Sequence, residues 1–345
     1  MKTLIKKIDI NNPDSVLLAE FGSMLASGKT VIFPTETVYG LGANALDEEA
    51  ASKIYQAKGR PSDNPLLVHI ADKKDLYALV DKVDNRAELL MDKFWPGPLT
   101  IVFKKRDIIP ARTSGGLDTV AIRMPSDPIA RELIRQAGVP IAAPSANISG
   151  RPSPTRPDHI IRDMDGRVDG ILVGGTCNYG VESTIIDLSD EVAMVLRPGS
   201  ITLEMLRCVL ERVELDPSLK NKDDNIKARA PGMKYKHYSP KAQVYIVKSR
   251  DQEEFIEKVD NLSLENDKKG LKTGVMIMGT DKHTYRAQSF DLGDSYDDVA
   301  KNLFDTLINL DREGIDIAYA PYIEEKGIGV AIMNRLKKAA GYKLI

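Results

Sequence analysis

Apolar positions recur at helical spacing over residues 14–27, where Leu17, Phe21, Met24 and Leu25 share a face and Gly28 ends the run. The short apolar run at 30–33 reads as a buried strand closed by Pro34. Asp47 can cap a helix with Ala50, Ile54 and Ala57 along one side. Further strands are predicted at 66–70, 99–103, 119–123, 140–143, 170–173, 183–188 and 193–196, separated by helical patterns at 85–93, 128–137 and 157–164. Such mixing predicts an α/β layer domain built on a mixed sheet. A helix around 202–212 precedes the polar stretch 216–225, which has too few apolar residues to bury a core and reads as a linker. A second α/β pattern follows, with strands at 244–247, 274–278 and 315–318 and a terminal helix at 330–340. Its clearest signal is a helix at 296–311 that aligns Val299, Leu303, Leu307 and Leu310. The expected divisions are residues 1–212, a linker at 213–240, and a smaller domain at 241–345.

A chain of 345 residues accommodates two such domains. Lys plus Arg number 48 against 50 acidic residues, a net charge of −2, where a duplex-binding protein carries a basic excess. The balance points to a small-molecule substrate, leaving room for no more than a basic patch on one face. Cys177 and Cys208 lack metal-ligand spacing and read as reduced thiols. Residues 1–7 turn polar too soon for a signal peptide, and no apolar run reaches bilayer length. The expectation is a cytoplasmic protein with no membrane association and no metal held by protein ligands.

Two glycine patterns imitate nucleotide motifs. Residues 22–30 look like a phosphate loop, but they run helix into strand, whereas that motif needs strand, loop and then helix. Residues 40–45 match a loose dinucleotide fingerprint six residues too far from the strand, and a glycine turn beneath a ligand explains them better.

The chemistry concentrates in loops that follow strands. Thr35, Glu36 and Thr37 crowd hydroxyls and a carboxylate behind the first strand. Lys58 and Arg60 close a helix, where cations suit the dipole, yet a planar fork beside a mobile ammonium also suits phosphates. Ser145, Asn147, Ser149, Arg151 and Ser153 follow another strand, and their hydroxyl, amide and backbone N–H groups can nest anionic oxygens. A third loop, 173–184, carries glycines that permit close backbone approach. Arg123 and Arg197 each close a strand. Convergent cations and hydroxyl loops fit a polyanionic ligand, and nucleotidyl chemistry asks for little beyond placement and charge neutralisation.

Together these residues resemble a family. Thr35-Glu36-Thr37-Val38-Tyr39-Gly40-Leu41, Lys58-Gly59-Arg60-Pro61, Asn64-Pro65-Leu66, Trp95-Pro96-Gly97-Pro98-Leu99-Thr100, Pro144-Ser145-Ala146-Asn147 and Glu182-Ser183-Thr184-Ile185 resemble the YrdC-type threonylcarbamoyl-AMP synthases over roughly residues 10–210. Gly232-Met233-Lys234-Tyr235-Lys236-His237-Tyr238 and the remainder resemble the long, two-domain form. The resemblance implies an open, twisted mixed sheet around a positively lined cavity. It also implies a smaller Rossmann-like C-terminal domain, and a linker that folds back as a lid.

By the same resemblance, Lys58, Arg60, Ser145 and Asn147 would be catalytic. Thr35, Leu67, His69, Arg123 and Ser183 would hold L-threonine. Lys58, Ser62, Leu117, Ser145, Ser153, Arg197 and Tyr238 would hold ATP, with Ser62, Leu67 and Leu117 acting through backbone groups. The implied reaction joins L-threonine, bicarbonate and ATP, with Mg2+ bridging phosphates, into threonylcarbamoyl-AMP. A separate threonylcarbamoyl-transferase complex would then modify tRNA. The rival reading is a double-stranded RNA or tRNA-binding module of the same fold, which would consume no ATP.

Overall fold

The computed structural model describes residues 2–219, 229–230 and 238–345, and these form two compact units. The first draws on residues up to 149 and from 153 to 230, the second on 150–152 and 238–345.

Eleven strands build the first unit: β1 (Leu4–Lys7), β2 (Val31–Phe33), β3 (Gly40–Asn44), β4 (Leu67–His69), β5 (Leu99–Lys104), β6 (Thr119–Arg123), β7 (Ile141–Ala142), β8 (Gly170–Val173), β9 (Thr184–Asp187), β10 (Ala193–Arg197) and β11 (Val213–Leu215). They form one mixed sheet in the order β1-β8-β2-β3-β7-β4-β6-β5-β9-β10-β11. The helices are α1 (Ser15–Ala26), α2 (Glu48–Lys58), α3 (Asn85–Phe94), α4 (Ala111–Ser114), α5 (Pro128–Ala137), α6 (Pro157–Met164) and α7 (Leu203–Arg207). The main core joins Val68, Ile101, Ile122 and Ile186 from the central strands to α2 and α3. On the opposite face, α1 and α5 pack over Val31, Phe33, Ile141 and Leu172.

Three expectations change here, each for a local reason. The buried face of α1 is Leu18, Phe21, Gly22 and Leu25, one residue round from the predicted stripe. Gly22 sets that rotation, because a Cβ there would stand 2.8 Å from the backbone of Gln136 on α5. Residues 40–44 are a strand rather than a turn: a Cβ on Gly42 would lie 2.7 Å from the Phe33 ring, so the glycine makes room for cross-strand packing. The sheet also runs past residue 212. Val213 pairs in parallel with Ala193 and is buried in the main core, so the polar composition read as linker begins after a strand.

The second unit carries four parallel strands, β12 (Gln243–Val247), β13 (Thr273–Ile277), β14 (Gln288–Asp291) and β15 (Ile317–Pro321), in the order β12-β15-β13-β14. Helices α8 (Gln252–Lys268), α9 (Tyr296–Arg312) and α10 (Gly329–Ala339) accompany them. Val299, Leu303, Leu307 and Leu310 of α9 are buried as their spacing predicts. The sequence pattern had shown neither α8 nor β14. No helix among the described residues is long and apolar enough to cross a membrane.

Candidate active site

Strand alternation puts Leu67 and His69 of β4, Ala121 and Arg123 of β6, Thr100 and Val102 of β5, and Ile185 and Asp187 of β9 on one sheet face. Pairing arranges them in two rows. One runs His69, Arg123, Thr100, Ile185, Arg197, and the next runs Leu67, Ala121, Val102, Asp187, Met194. The first row is largely polar. The second is mostly apolar, and Leu67, Ala121 and Val102 cluster with Ile185, Leu196 and Ala230, a group that contains no helix residue. Helices α1 and α5 pack on this same face as far as Ile141, the strand neighbour of His69.

Beyond β2 the chain turns about a hydroxyl: Thr35 Oγ1 donates to the Val38 carbonyl at 2.6 Å and accepts the Thr37 N–H at 3.2 Å. That turn delivers Glu36 and Thr37 to Arg123. The buried guanidinium donates to Thr37 Oγ1 at 2.9 Å and to the Gly97 carbonyl at 3.1 Å, and it pairs with Glu36 Oε1 at 2.6 Å. Glu36 Oε1 also accepts the Ser126 N–H at 2.9 Å, while Glu36 Oε2 and His69 Nδ1 are buried without hydrogen-bond partners among the described residues. Further along the polar row, Thr100 and Ser183 share a hydroxyl hydrogen bond of 2.7 Å. Arg197 donates to the Ser183 hydroxyl at 3.1 Å and to its carbonyl at 3.0 Å.

Lys58 ends α2 at Gly59, which takes the left-handed conformation (φ 60°). Its buried ammonium donates to the carbonyls of Ser145 and Asn147 and, at 3.4 Å, to Asn147 Oδ1. Ser145 Oγ donates to the same Oδ1 at 2.5 Å, and the Lys58 carbonyl accepts the Ser149 N–H at 2.9 Å. Arg60 donates to the carbonyls of Asn64 and Pro65. Both cations therefore shape loops here, a use the sequence did not reveal. Ser153 is fully buried and donates to Glu182 Oε1 at 2.6 Å. Glu182 adjoins Ser183 in the chain and acts electrostatically on Lys58, so it links the two clusters.

Burial, followed by the charge of Arg60, pushes the Lys58 ammonium well below its ordinary pKa, with Glu182 opposing. Burial and then Arg123 take the His69 imidazole down to about 3, so the ring is neutral. For Glu36, burial acts upward, but Arg123 and the Ser126 N–H outweigh it and keep the carboxylate ionised below its usual range. Lys58, Arg60, Arg123 and Arg197 thus outnumber the nearby carboxyl groups of Glu36, Asp127 and Glu182. Such a balance suits an anion-rich ligand.

Of the predicted residues, the structure brings together Thr35, Lys58, Arg60, Leu67, His69, Arg123, Ser145, Asn147, Ser153, Ser183 and Arg197. Ser62 is exposed and Leu117 half-buried, on two loops that meet where Gly115 abuts Pro65. Tyr238 belongs to the second unit, where its ring lies 5.1 Å from that of Phe304 and 5.8 Å from the Arg335 guanidinium. Residues 231–237, which the sequence reading makes part of a lid, lie outside the described residues. Thr100 and Glu182 were missed as site residues, and Glu36 and Thr37 were noted in their loop but given no role. All four sit inside the quoted motifs, but only strand register reveals what they touch. Trp95 packs in the main core and donates to the Leu99 carbonyl at 2.7 Å, a structural role.

Residues 23–199 match the family described as Telomere recombination, and residues 201–341 match the family described as Threonylcarbamoyl-AMP synthase, C-terminal domain. The threonylcarbamoyl-AMP synthase of Pyrococcus abyssi is 47% identical over 322 residues, 93% of each chain. That of Bacillus subtilis is 43% identical over 343 residues, 98% of this chain and 96% of its own. The crystal structure of P. abyssi Sua5 complexed with L-threonine matches with a TM-score of 0.94 at 45% identity, covering 99% of both chains.

Proposed function

The chain belongs to the threonylcarbamoyl-AMP synthase family in its two-domain form, and we propose that it joins L-threonine, bicarbonate and ATP into threonylcarbamoyl-AMP, pyrophosphate and water. The observation that carries this reading is the polar row His69–Arg123–Thr100 with Ser183 and Arg197 beside it, linked through Glu182 to Lys58, Ser145 and Asn147. In this reading Thr35, Leu67, His69, Arg123 and Ser183 hold L-threonine. Arg123, already balanced by Glu36, would take the amino acid's carboxylate with Arg197 nearby, leaving the neutral His69 ring facing its amine. The amine adds to the carbon of bicarbonate, with loss of water, to give an N-carboxylate.

That N-carboxylate would attack the α-phosphorus of ATP, the bond to the β-phosphate oxygen breaking as pyrophosphate leaves. Arg60 and the loop of Ser145 and Asn147 would screen the two anions as they meet, with Lys58 fixing that loop. Ser62, Leu117, Ser153 and Arg197 complete the proposed ATP contacts. Mg2+ would enter with ATP and would offset the charge of its phosphates. The product would be consumed by an enzyme that transfers the threonylcarbamoyl group to tRNA, and a cytoplasmic location belongs to the same proposal.

Pyrophosphate release from ATP should require L-threonine and bicarbonate together. A coupled phosphate assay, omitting each in turn, checks this. Release indifferent to L-threonine would remove the substrate assignment, and RNA binding without any ATP turnover would favour the binding-module reading.

A further inference from the structure

Arg229 and Ala230 take no part in the reaction as set out above, yet both are tied to the face of the sheet that carries the site. Asp187 lies on that face at the β9 end of the apolar row, paired with Val102 and Met194. Arg229 Nη1 meets Asp187 Oδ2 at 3.1 Å, and its Nη2 pairs with Asp216 Oδ2. Both carboxylates are buried. Each is pinned at its other oxygen by its own turn, Asp187 Oδ1 taking the Ser189 N–H and Asp216 Oδ1 the Ser218 N–H, both at 3.0 Å. One planar guanidinium thus bridges two fixed carboxylates, a geometry that an ammonium cannot reproduce. The next residue, Ala230, is fully buried in the cluster of Leu67, Val102, Ala121, Ile185 and Leu196. Leu67 and Ala121 precede His69 and Arg123 by two positions on their strands, and Ile185 belongs to the polar row itself, so Ala230 packs beside that row.

We propose that Arg229 is a positioning residue: seated on Asp187 and Asp216, it holds Ala230 against the apolar row and so fixes the side of the site that borders Leu67, His69 and Arg123. The inference rests on the reading of those residues as the L-threonine site. A loosened border weakens the bound and transition states alike, which raises KM and leaves kcat nearly unchanged.

The test is steady-state pyrophosphate release by the full-length protein, with L-threonine and ATP varied separately. Arg229→Gln is expected to raise KM for L-threonine about tenfold while kcat stays within about threefold. Because Arg229→Gln also leaves two buried carboxylates without their cation, two further variants guard against mere unfolding. Arg229→Lys keeps the charge but not the bridge and should raise KM by a smaller factor. Ala230→Leu leaves the ion pairs intact and should raise KM for L-threonine by crowding the row. Unchanged KM in all three variants, with only a lowered melting temperature, would overturn the proposal and make the anchor purely structural. A wild-type protein without threonine-dependent release would remove the functional reading, and this inference with it.

Discussion

Arg123 shows how a single side chain is made ready. It is buried, and its charge is matched by a carboxylate delivered from a different loop, so the site carries a balanced pair rather than a bare cation. Beside it, His69 and Asp127 impose opposite dependences on pH. The imidazole of His69 falls from 6.5 to about 3 on folding, mainly through burial. Between those values the unfolded chain binds the proton and the folded chain does not, so this contribution is present above pH 6.5 and lost as pH falls towards 3. Burial raises Asp127 from 3.8 to about 6. The folded chain then binds the proton first, and stability from this group is lost as pH rises through that window. Asp127→Asn keeps the cap on α5, where Asp127 Oδ1 accepts the Ala130 N–H, but removes the second dependence. Urea melts at pH 4, 5 and 6 should then show stability falling more steeply on acidification, by up to about 1.4 kcal/mol per pH unit. An unchanged slope would mean that Asp127 does not titrate in that range.

At the scale of elements, the end of α2 and the loop after β7 behave as one piece. The Lys58 ammonium holds the Ser145 and Asn147 carbonyls, and its own carbonyl takes the Ser149 N–H. Lys58→Ala should lower turnover by roughly a hundredfold or more, as misplacement of a reacting group does. It should also speed hydrogen exchange at the Ser149 amide in the ligand-free protein. Lost turnover with unchanged exchange would mean that Lys58 acts on the substrates and not on the loop. Much of this was legible in the sequence. The strand-end positions of Arg123 and Arg197 and the paired signals at Lys58–Arg60 and Ser145–Asn147 follow from apolar runs and local spacing. What escaped depended on partners distant in sequence. β3 has glycines where strands favour β-branched residues, and it forms because Phe33 and Ile141 need the space above Gly42. Glu36 reads as a loop acid until register brings Arg123 to it, 87 residues away.

Across the whole molecule, composition misplaced one boundary in an instructive way. Polarity drops the pattern at about residue 212, but the first unit continues through β11 and returns at Arg229 and Ala230, both fixed by groups on the sheet. Three short apolar or charged anchors within the stretch 213–240 expected to be linker leave no periodic signal, although each is decisive once the sheet exists. Two truncations separate the alternatives. A chain ended after residue 212 loses β11 and the anchor, whereas one ended after Ala230 keeps both. Burying the Val213 side chain alone is worth about 1.5–3 kcal/mol, so the longer form should be the more stable in urea by at least about that amount. Without β11, β10 becomes the edge of the sheet, and edge strands fray. Arg197, at the end of β10, would then hold Ser183 less firmly, and the shorter form should bind ATP more weakly than the longer one in calorimetric titration. Equal stability and equal affinity would mean that the working unit stops where its hydrophobic pattern stops, and that β11 and the Arg229 anchor contribute nothing to it.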